Sequence, residues 1–118
     1  MKSRTGAKDS LPDPDKIIHE RSRLRILVFL ASSLSSAVGF TELKEGLGMT
    51  AGNLSTQIST LEEAGYIRVE KRFLGKKPNT SIMLTTEGKT ALETYIADIE
   101  ILMTAARKQE GVLKEAQH

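Results

Sequence analysis

The sequence predicts a mainly α-helical α+β fold with one small β-hairpin. Apolar residues recur every three or four positions in several segments, which is the spacing of a helix with one buried face. Between Ile67 and Leu84 the pattern changes to alternation on both sides of a turn rich in Gly, Pro and Asn. Just before this hairpin, the order of a short helix, a turn and a longer helix predicts a helix-turn-helix.

The first helix is expected to begin near Asp15, since aspartate is favourable at a helix N-terminus, and to continue to about Ser32. Four polar residues interrupt its apolar stripe at 19–22, so a break there is compatible with the pattern. The small polar residues that follow indicate a loop. Within residues 38–40, one short strand can pair with the hairpin.

The helix-turn-helix is predicted between Thr41 and Ala64. Thr41 is the expected N-cap of a short helix that Gly48 ends in a left-handed turn. Thr50 is the expected N-cap of a third helix over residues 51–64. At 3.6 residues per turn, three apolar residues of the third helix share one inward face. They are Leu54, Ile58 and Leu61.

The outer face of the third helix is small, rich in hydroxyl groups and uncharged over its first three turns. An ordinary solvent-facing helix would carry more Lys and Glu, so this composition favours a functional surface over a merely polar one. Such a face can approach a nucleic-acid groove closely and offer hydroxyl and amide groups to base edges or phosphates. The candidate contact residues are Thr50, Gly52, Asn53, Ser55, Thr56, Ser59 and Thr60.

The hairpin concentrates positive charge. Between Arg68 and Lys77 lie five basic residues and one acid, Glu70. Alone, this segment is equally compatible with a solvated lysine-rich turn, but lysines at a turn tip can also neutralise phosphates. The candidate contact residues are Lys71, Arg72, Lys76, Lys77, Asn79 and Thr80.

A last helix is expected to begin after an N-cap at Thr85 or Thr86 and to fray from about residue 108. Its apolar stripe alternates steps of three and four, as in the seam of a helix pair, and is longer than a small core can cover. Packing on the chain's own first helix is the alternative to a two-fold dimer, which the length of the stripe favours. The predicted interface comprises Ile17, Ile18, Leu92, Tyr95, Ile96, Ile99, Leu102, Met103 and Ala106.

Composition narrows the classes of function. The 118 residues fit one domain, with a net charge of only +2 and no cysteine, which excludes disulfides, thiolate metal ligands and a cysteine nucleophile. His19 and His118 form no metal-ligand pair, and no serine has a nucleophile-elbow pattern. We therefore expect no enzyme, metal or cofactor. No signal peptide or membrane-spanning run is present in the sequence, so a cytoplasmic location is expected.

Several motifs in order resemble a known family. They are R-L-R-I-L-V-F-L (23–30), F-T-E-L-K (40–44), M-T-A-G-N-L-S-T-Q-I-S-T-L-E-E-A-G-Y-I (49–67), K-R-F-L-G-K-K-P-N-T (71–80) and L-T-T-E-G-K (84–89). Together they resemble small winged-helix transcriptional regulators of bacteria and archaea, relatives of the MarR and ArsR repressors.

The resemblance implies a homodimer that binds duplex DNA, with the third helix in the major groove and the hairpin, or wing, on the minor groove or backbone. The recognition face lacks Arg and Lys, so shape recognition and wing contacts are expected to carry more of the specificity. The sequence pattern and the resemblance, which covers about residues 15–100, together predict a disordered tail (1–14), a winged helix-turn-helix (15–85), a dimerisation helix (86–107) and a frayed tail (108–118).

Other functions stay open. A winged-helix module that binds protein rather than DNA has the same fold, although a basic wing favours DNA. RNA binding would need an aromatic stacking platform, which the sequence does not indicate. A small apolar effector can bind between the dimer helices and the winged domain. The basic residues of the tail can form a DNA-contacting arm, but a solubilising tail is favoured; these residues are Lys2, Arg4 and Lys8.

Overall fold

The computed structural model describes residues 11–116, with side chains described to residue 108. It confirms a mainly helical α+β fold of four helices and three strands within this range. The expected tail therefore lies mostly outside the described residues, as do Lys2, Arg4 and Lys8, while residues 11–14 form neither helix nor strand. The elements are α1 (Arg21–Ser32), β1 (Val38–Gly39), α2 (Phe40–Leu47), α3 (Ala51–Glu63), β2 (Ile67–Leu74), β3 (Lys77–Leu84) and α4 (Thr86–Ala116).

The strands form one antiparallel sheet in the order β1-β3-β2. The predicted short strand is confirmed, since Val38 pairs with Ile82 of the hairpin. The hairpin turn is tighter than expected, because Leu74 pairs with Lys77 and only two residues connect the strands. Gly75 has a φ of 67°, a left-handed conformation that such a turn requires and that glycine adopts without strain.

The first helix starts later than the sequence pattern suggests. Asp15 caps a single turn instead, because its Oδ1 accepts hydrogen bonds from the backbone N–H groups of Ile17 (2.7 Å) and Ile18 (3.1 Å). Regular helix begins at Arg21, where the side chain of Glu20 accepts from the backbone N–H of Arg23. The break therefore falls within the polar stretch at 19–22.

The helix-turn-helix forms where predicted, with one cap placed wrongly. α2 begins at Phe40, so Thr41 lies inside the helix and is not its N-cap; Gly39 precedes the helix without a side-chain hydrogen bond. Gly48 ends α2 in the left-handed region at φ 65°. Thr50 caps α3, since its Oγ1 accepts from the backbone N–H of Asn53 at 3.1 Å.

One hydrophobic core joins the helices to the inner face of the sheet. The predicted inward residues of α3 are confirmed as buried, and they pack with α1, α2, β1, the hairpin and the first turns of α4. The fully buried large side chains are Ile18, Ile26, Leu27, Val38, Leu43, Leu54, Leu61 and Ile82.

Thr85 and Gly88 join α4 to the end of α3. Thr85 Oγ1 accepts from the backbone N–H of Gly88 at 2.9 Å and donates to the carbonyl oxygen of Gly65 at 2.7 Å. A Cβ at Gly88 would lie 2.0 Å from the carbonyl oxygen of Tyr66, so only glycine allows this approach. The L-T-T-E-G sequence therefore fixes the base of the hairpin to the start of α4.

The predicted dimer seam shares three of its residues with the core of the single chain. Ile18, Leu92 and Tyr95 are no more than 6% exposed within the single chain, so their side chains are already used in its own core and leave little surface for a partner. Ile96 and Met103 are each 44% exposed. Half-buried or exposed side chains complete the remaining seam, namely Ile17, Ile99, Leu102 and Ala106.

α4 continues to Ala116, past the position where fraying was expected to begin. Ile101, absent from the predicted seam, is 50% exposed on the side of α4 opposite Ile96 and Met103. None of the helices in the described part of the chain combines the length and hydropathy that a membrane span needs.

Candidate nucleic-acid interface

The N-terminal half of α3 presents an uncharged surface. Thr50 uses its Oγ1 as acceptor for the helix cap, which leaves its hydroxyl proton free to donate to an external acceptor. Thr56 and Thr60 instead donate their hydroxyl protons to the carbonyl oxygens of Gly52 (3.1 Å) and Thr56 (3.3 Å), so outward they offer acceptor lone pairs. All predicted contact residues of α3 are exposed except Thr60, which is half-buried.

Gly52 has no structural partner that would require a glycine. A Cβ built on it meets no atom within 4 Å, and its φ lies outside the left-handed region. Glycine inside a helix destabilises the protein by about 0.5–1 kcal/mol relative to alanine. No contact that a Cβ would block offsets this loss at Gly52. A close approach from outside the molecule would explain it.

The wing and α3 enclose a shared groove of about 340 Å³. Ser55 and Ser59 line it from α3, and Lys71 and Thr80 line it from the facing strands. Lys71 pairs with Thr80 across the hairpin, so both side chains stand on the face that also buries Ile82. The structure thus brings four predicted contact residues from two separate segments into one surface.

The two faces of the wing carry charge differently. Arg72 stands on the face opposite Lys71, where its Nη2 lies 3.0 Å from Glu70 Oε1. Arg68 lies 3.9 Å from the same carboxylate. The positive charge of Arg72 is therefore partly compensated and faces away from the groove. Asn79, which pairs with Arg72 across the hairpin, shares that outer face.

Most of the chain matches a known domain family. The model of the winged helix DNA-binding domain matches residues 22–103, which is more than half of the chain. This chain belongs to the winged helix DNA-binding domain family. An uncharacterised protein of Methanocaldococcus jannaschii is 33% identical over 84 residues, covering 71% of this chain and 89% of that protein.

Solved structures share the fold of this winged-helix protein. The transcriptional regulator homologue from Pyrococcus horikoshii superposes with a TM-score of 0.69 at 23% identity, over 76% of this chain and 87% of that one. MepR of S. aureus, solved as a DNA complex, gives a TM-score of 0.63 at 15% identity, over 86% and 82%. AbsC of Streptomyces coelicolor, a MarR family transcriptional regulator, gives 0.58 at 18% identity, over 86% and 80%. The fold is that of MarR-type transcriptional regulators.

The tip of the wing holds residues that the sequence analysis missed. Lys76 and Lys77 are exposed there as expected, but Phe73 is 72% exposed and Leu74 is 66% exposed. Because Phe73 and Pro78 pair across the hairpin, they stand on the groove face of the wing, and Leu74 stands on the other. The alternating pattern of the hairpin did not predict a role for these two apolar residues. Their position next to the turn, beyond the reach of the core, could have predicted that they are exposed.

A second missed residue lies beside the recognition helix. Arg23 of α1 donates from Nη1 to Gln57 Oε1 at 2.8 Å and from Nε to the carbonyl oxygen of Ile17 at 2.6 Å. Gln57 Nε2 in turn lies 3.2 Å from Asn53 Oδ1. No spacing rule links Arg23 to a helix that follows far along the chain, so this contact was not accessible to sequence reasoning.

Tyr66 ties the N-terminal turn to the base of the wing. Its hydroxyl donates to Asp15 Oδ2 at 2.5 Å. The hydrogen bond to this carboxylate, together with burial and the nearby negative charge, raises the pKa of Tyr66 to about 12. The phenol therefore stays protonated through the physiological range and holds the wing's first strand against residues 15–18.

Proposed function

We propose that this winged-helix protein is a transcriptional regulator that binds duplex DNA as a homodimer. In this proposal α3 enters the major groove and the wing contacts the adjacent minor groove or backbone. The observation that carries the proposal is the groove in which Ser55 and Ser59 of α3 meet Lys71 and Thr80 of the wing. The first three turns of α3 are uncharged and lie beside strands that carry lysine, which fits a surface whose base edges are flanked by phosphates. Glu62 also lines the groove, in the last turn of the helix.

The two elements supply different parts of the interaction. α3 lacks Lys and Arg, so its hydroxyl and amide groups provide hydrogen bonds and close fit rather than charge. Lys71, Lys76 and Lys77 are exposed and supply the positive charge that phosphates require. Arg72 contributes less in this arrangement, because Glu70 lies 3.0 Å from its guanidinium.

Dimerisation is supported by the exposed part of the apolar stripe on α4. Ile96 and Met103 are seven residues apart and lie on the same side of the helix, with Ile99 between them. An apolar stripe that continues beyond the core of one chain is favourable only when another surface covers it. A two-fold arrangement would give each subunit the same contact and place two copies of α3 on one side of the dimer.

We also propose a site for a small effector molecule. An open hollow of about 480 Å³ lies along α1, lined mainly by apolar side chains including Leu24, Val28 and Phe29. Its other lining residues are Arg25 and Ser32 of α1 and Leu47 of α2, so the ligand site we propose lies between the first two helices.

The exposed apolar wing tip favours a second candidate function, the binding of a protein partner. Phe73 and Leu74 lie within the cationic tip, and a protein-binding wing is expected to expose such residues. The pair Phe73→Ser and Leu74→Ser removes this apolar surface and leaves every charge in place. A DNA-binding wing then keeps its dependence on salt, whereas a protein-docking wing loses its partner.

The test of the main proposal is a titration of labelled duplex fragments from a genomic pool at several salt concentrations. Each phosphate contact should contribute a slope of about −0.9 in log K against log salt. Binding that weakens steeply with salt supports the proposal. Affinity no better than that of an unrelated protein with the same net charge of +2 at low salt, for every duplex, rejects it.

A further inference from the structure

Arg23 is held in one orientation between α1 and the recognition helix. Its side chain is 18% exposed, and its Nη1 lies 3.8 Å from Glu20 Oε1. The same guanidinium donates to the carbonyl oxygen of Ile17 at 2.6 Å and to Gln57 Oε1 at 2.8 Å. Two hydrogen bonds to separate elements fix the planar group in place.

The chemistry of the guanidinium decides the orientation of two amides. Arginine only donates hydrogen bonds, so Gln57 must turn its oxygen toward Arg23. The Gln57 NH₂ group then faces Asn53 at 3.2 Å, and because it also only donates, Asn53 must present its oxygen. The NH₂ group of Asn53 is left as the outward group.

Asn53 occupies the part of α3 that meets base edges when such a helix enters the major groove. It is the third residue of α3 and is exposed. Asparagine commonly binds adenine with both its oxygen and its NH₂ group. Here Asn53 Oδ1 is turned toward Gln57, from which it accepts, so the opposite end of the amide, the NH₂ donor, is the end that meets DNA.

We propose that Arg23 and Gln57 are positioning residues that make Asn53 a specificity-determining donor for a base edge carrying acceptors, first of all guanine. Guanine offers two acceptors in the major groove, N7 and O6, whereas adenine offers one acceptor beside a donor. The inference rests on the proposed binding of duplex DNA. It supplies a guanine contact to a recognition helix that has neither Arg nor Lys.

The variant Gln57→Glu tests the orientation directly. Glutamate has nearly the same shape, but both of its oxygens accept, so one keeps the bond to Arg23 and the other draws the NH₂ group of Asn53. The oxygen of Asn53 then faces outward and favours a base that donates, namely cytosine through N4 or adenine through N6. The matched control is Asn53→Ala, which removes the amide altogether.

The experiment is selection of bound sites from random duplex DNA with the wild type, Gln57→Glu and Asn53→Ala, at low salt to offset the added negative charge. The wild type should prefer guanine at one position of each half-site by about fivefold, which corresponds to one net hydrogen bond. Asn53→Ala should lose this preference, and Gln57→Glu should transfer it to cytosine or adenine at the same position.

Three results overturn the inference. The first is a Gln57→Glu variant that keeps the wild-type base preference at every position, and the second is an Asn53→Ala variant that loses none. Both leave the proposed function standing, because DNA is still bound. The third is a wild-type protein that selects no DNA, which removes the proposed function and the base selection with it. In that case, NMR of the side-chain amides tests the orientation of the two amides without DNA. The Gln57 NH₂ group should be protected from hydrogen exchange in the wild type, because it donates to Asn53. In Gln57→Glu the protected group should be the NH₂ of Asn53.

Discussion

At the residue scale, two glycines differ in whether a contact inside the chain requires them. Gly88 is required by the chain itself, since a Cβ there would lie 2.0 Å from the carbonyl oxygen of Tyr66. Gly52 faces open space and is required by nothing in the chain. The same residue type therefore has a structural reason at one position and, in the proposed function, an external reason at the other.

Alanine at each position should give opposite effects on stability. Gly88→Ala should lower the free energy of unfolding by about 1–3 kcal/mol, because the new methyl group overlaps backbone. Gly52→Ala should raise it by about 0.5–1 kcal/mol and weaken DNA binding, because the helix gains propensity while close approach is lost. Urea unfolding and a DNA titration measure the two quantities. Undiminished DNA affinity in Gly52→Ala would contradict the external reason for this glycine.

Tyr66 gives a prediction with a defined pH range. Its pKa is raised from 10.0 to about 12, so the protonated phenol is favoured in the folded state relative to the unfolded state. The contribution of the bond to Asp15 is therefore fully present below pH 10 and lost as the pH rises from 10 to about 12. Phenolate absorbance should show a late component that Tyr66→Phe removes and Asp15→Asn moves toward lower pH. A late component that persists in Tyr66→Phe would contradict the assignment.

At the element scale, the wing divides its cations between a groove face, an outer face and a tip. Lys71 faces the groove, Arg72 pairs with Glu70 on the outer face, and Lys76 forms part of the turn. The alternation of a strand causes this division, because neighbouring residues point to opposite faces. Not every basic residue of the segment can therefore face the same DNA.

The double variant Lys76→Ala and Lys77→Ala should weaken binding to all duplexes alike. The salt slope should fall by about one for each phosphate contact removed. The matched control is Lys89→Ala, which removes an exposed lysine in the first turns of α4, outside the hairpin. Binding isotherms at several salt concentrations measure both. An unchanged slope in the double variant would show that the wing tip does not contact phosphates.

At the scale of the whole molecule, α4 extends beyond the core of its own winged domain, and we propose that it links this domain to a second. A 31-residue helix is about 46 Å long at 1.5 Å per residue, and only its first turns are covered by the core of the same chain. Leu92 and Tyr95 belong to that core, whereas Ile96 and Met103 continue the stripe beyond it. The dimer expected from the full stripe is therefore proposed for its exposed part.

Two glutamate variants on opposite sides of α4 should separate the seam from the general effect of added charge. Met103→Glu should dissociate the dimer at micromolar concentration, because it places a carboxylate in an apolar contact. Ile101→Glu should leave the dimer intact, because Ile101 is as exposed but lies on the other side of the helix. Sedimentation measures both. A wild-type monomer, or equal effects of the two variants, would refute the proposed seam.

Local signals predicted much of this fold, and long-range contacts account for most of what was missed. Thr50, Gly48 and Thr85 have the cap and turn roles that their residue types indicate, since such roles depend on a few neighbouring residues. The start of α1 was placed too early because Asp15 can cap either a long helix or a single turn. The orientation of Gln57 by Arg23 depends on the packing of two helices, which no local pattern encodes.

The measurement that tests the central claim most directly is selection of sites from random duplex DNA by the wild-type protein. A homodimer with α3 in the major groove should select two inverted half-sites whose centres are one helical turn apart, roughly 34 Å. Symmetric enrichment with this spacing is the expected result. No enrichment over the starting pool, or a single half-site without its inverted partner, would contradict a dimer that binds duplex DNA through its two recognition helices.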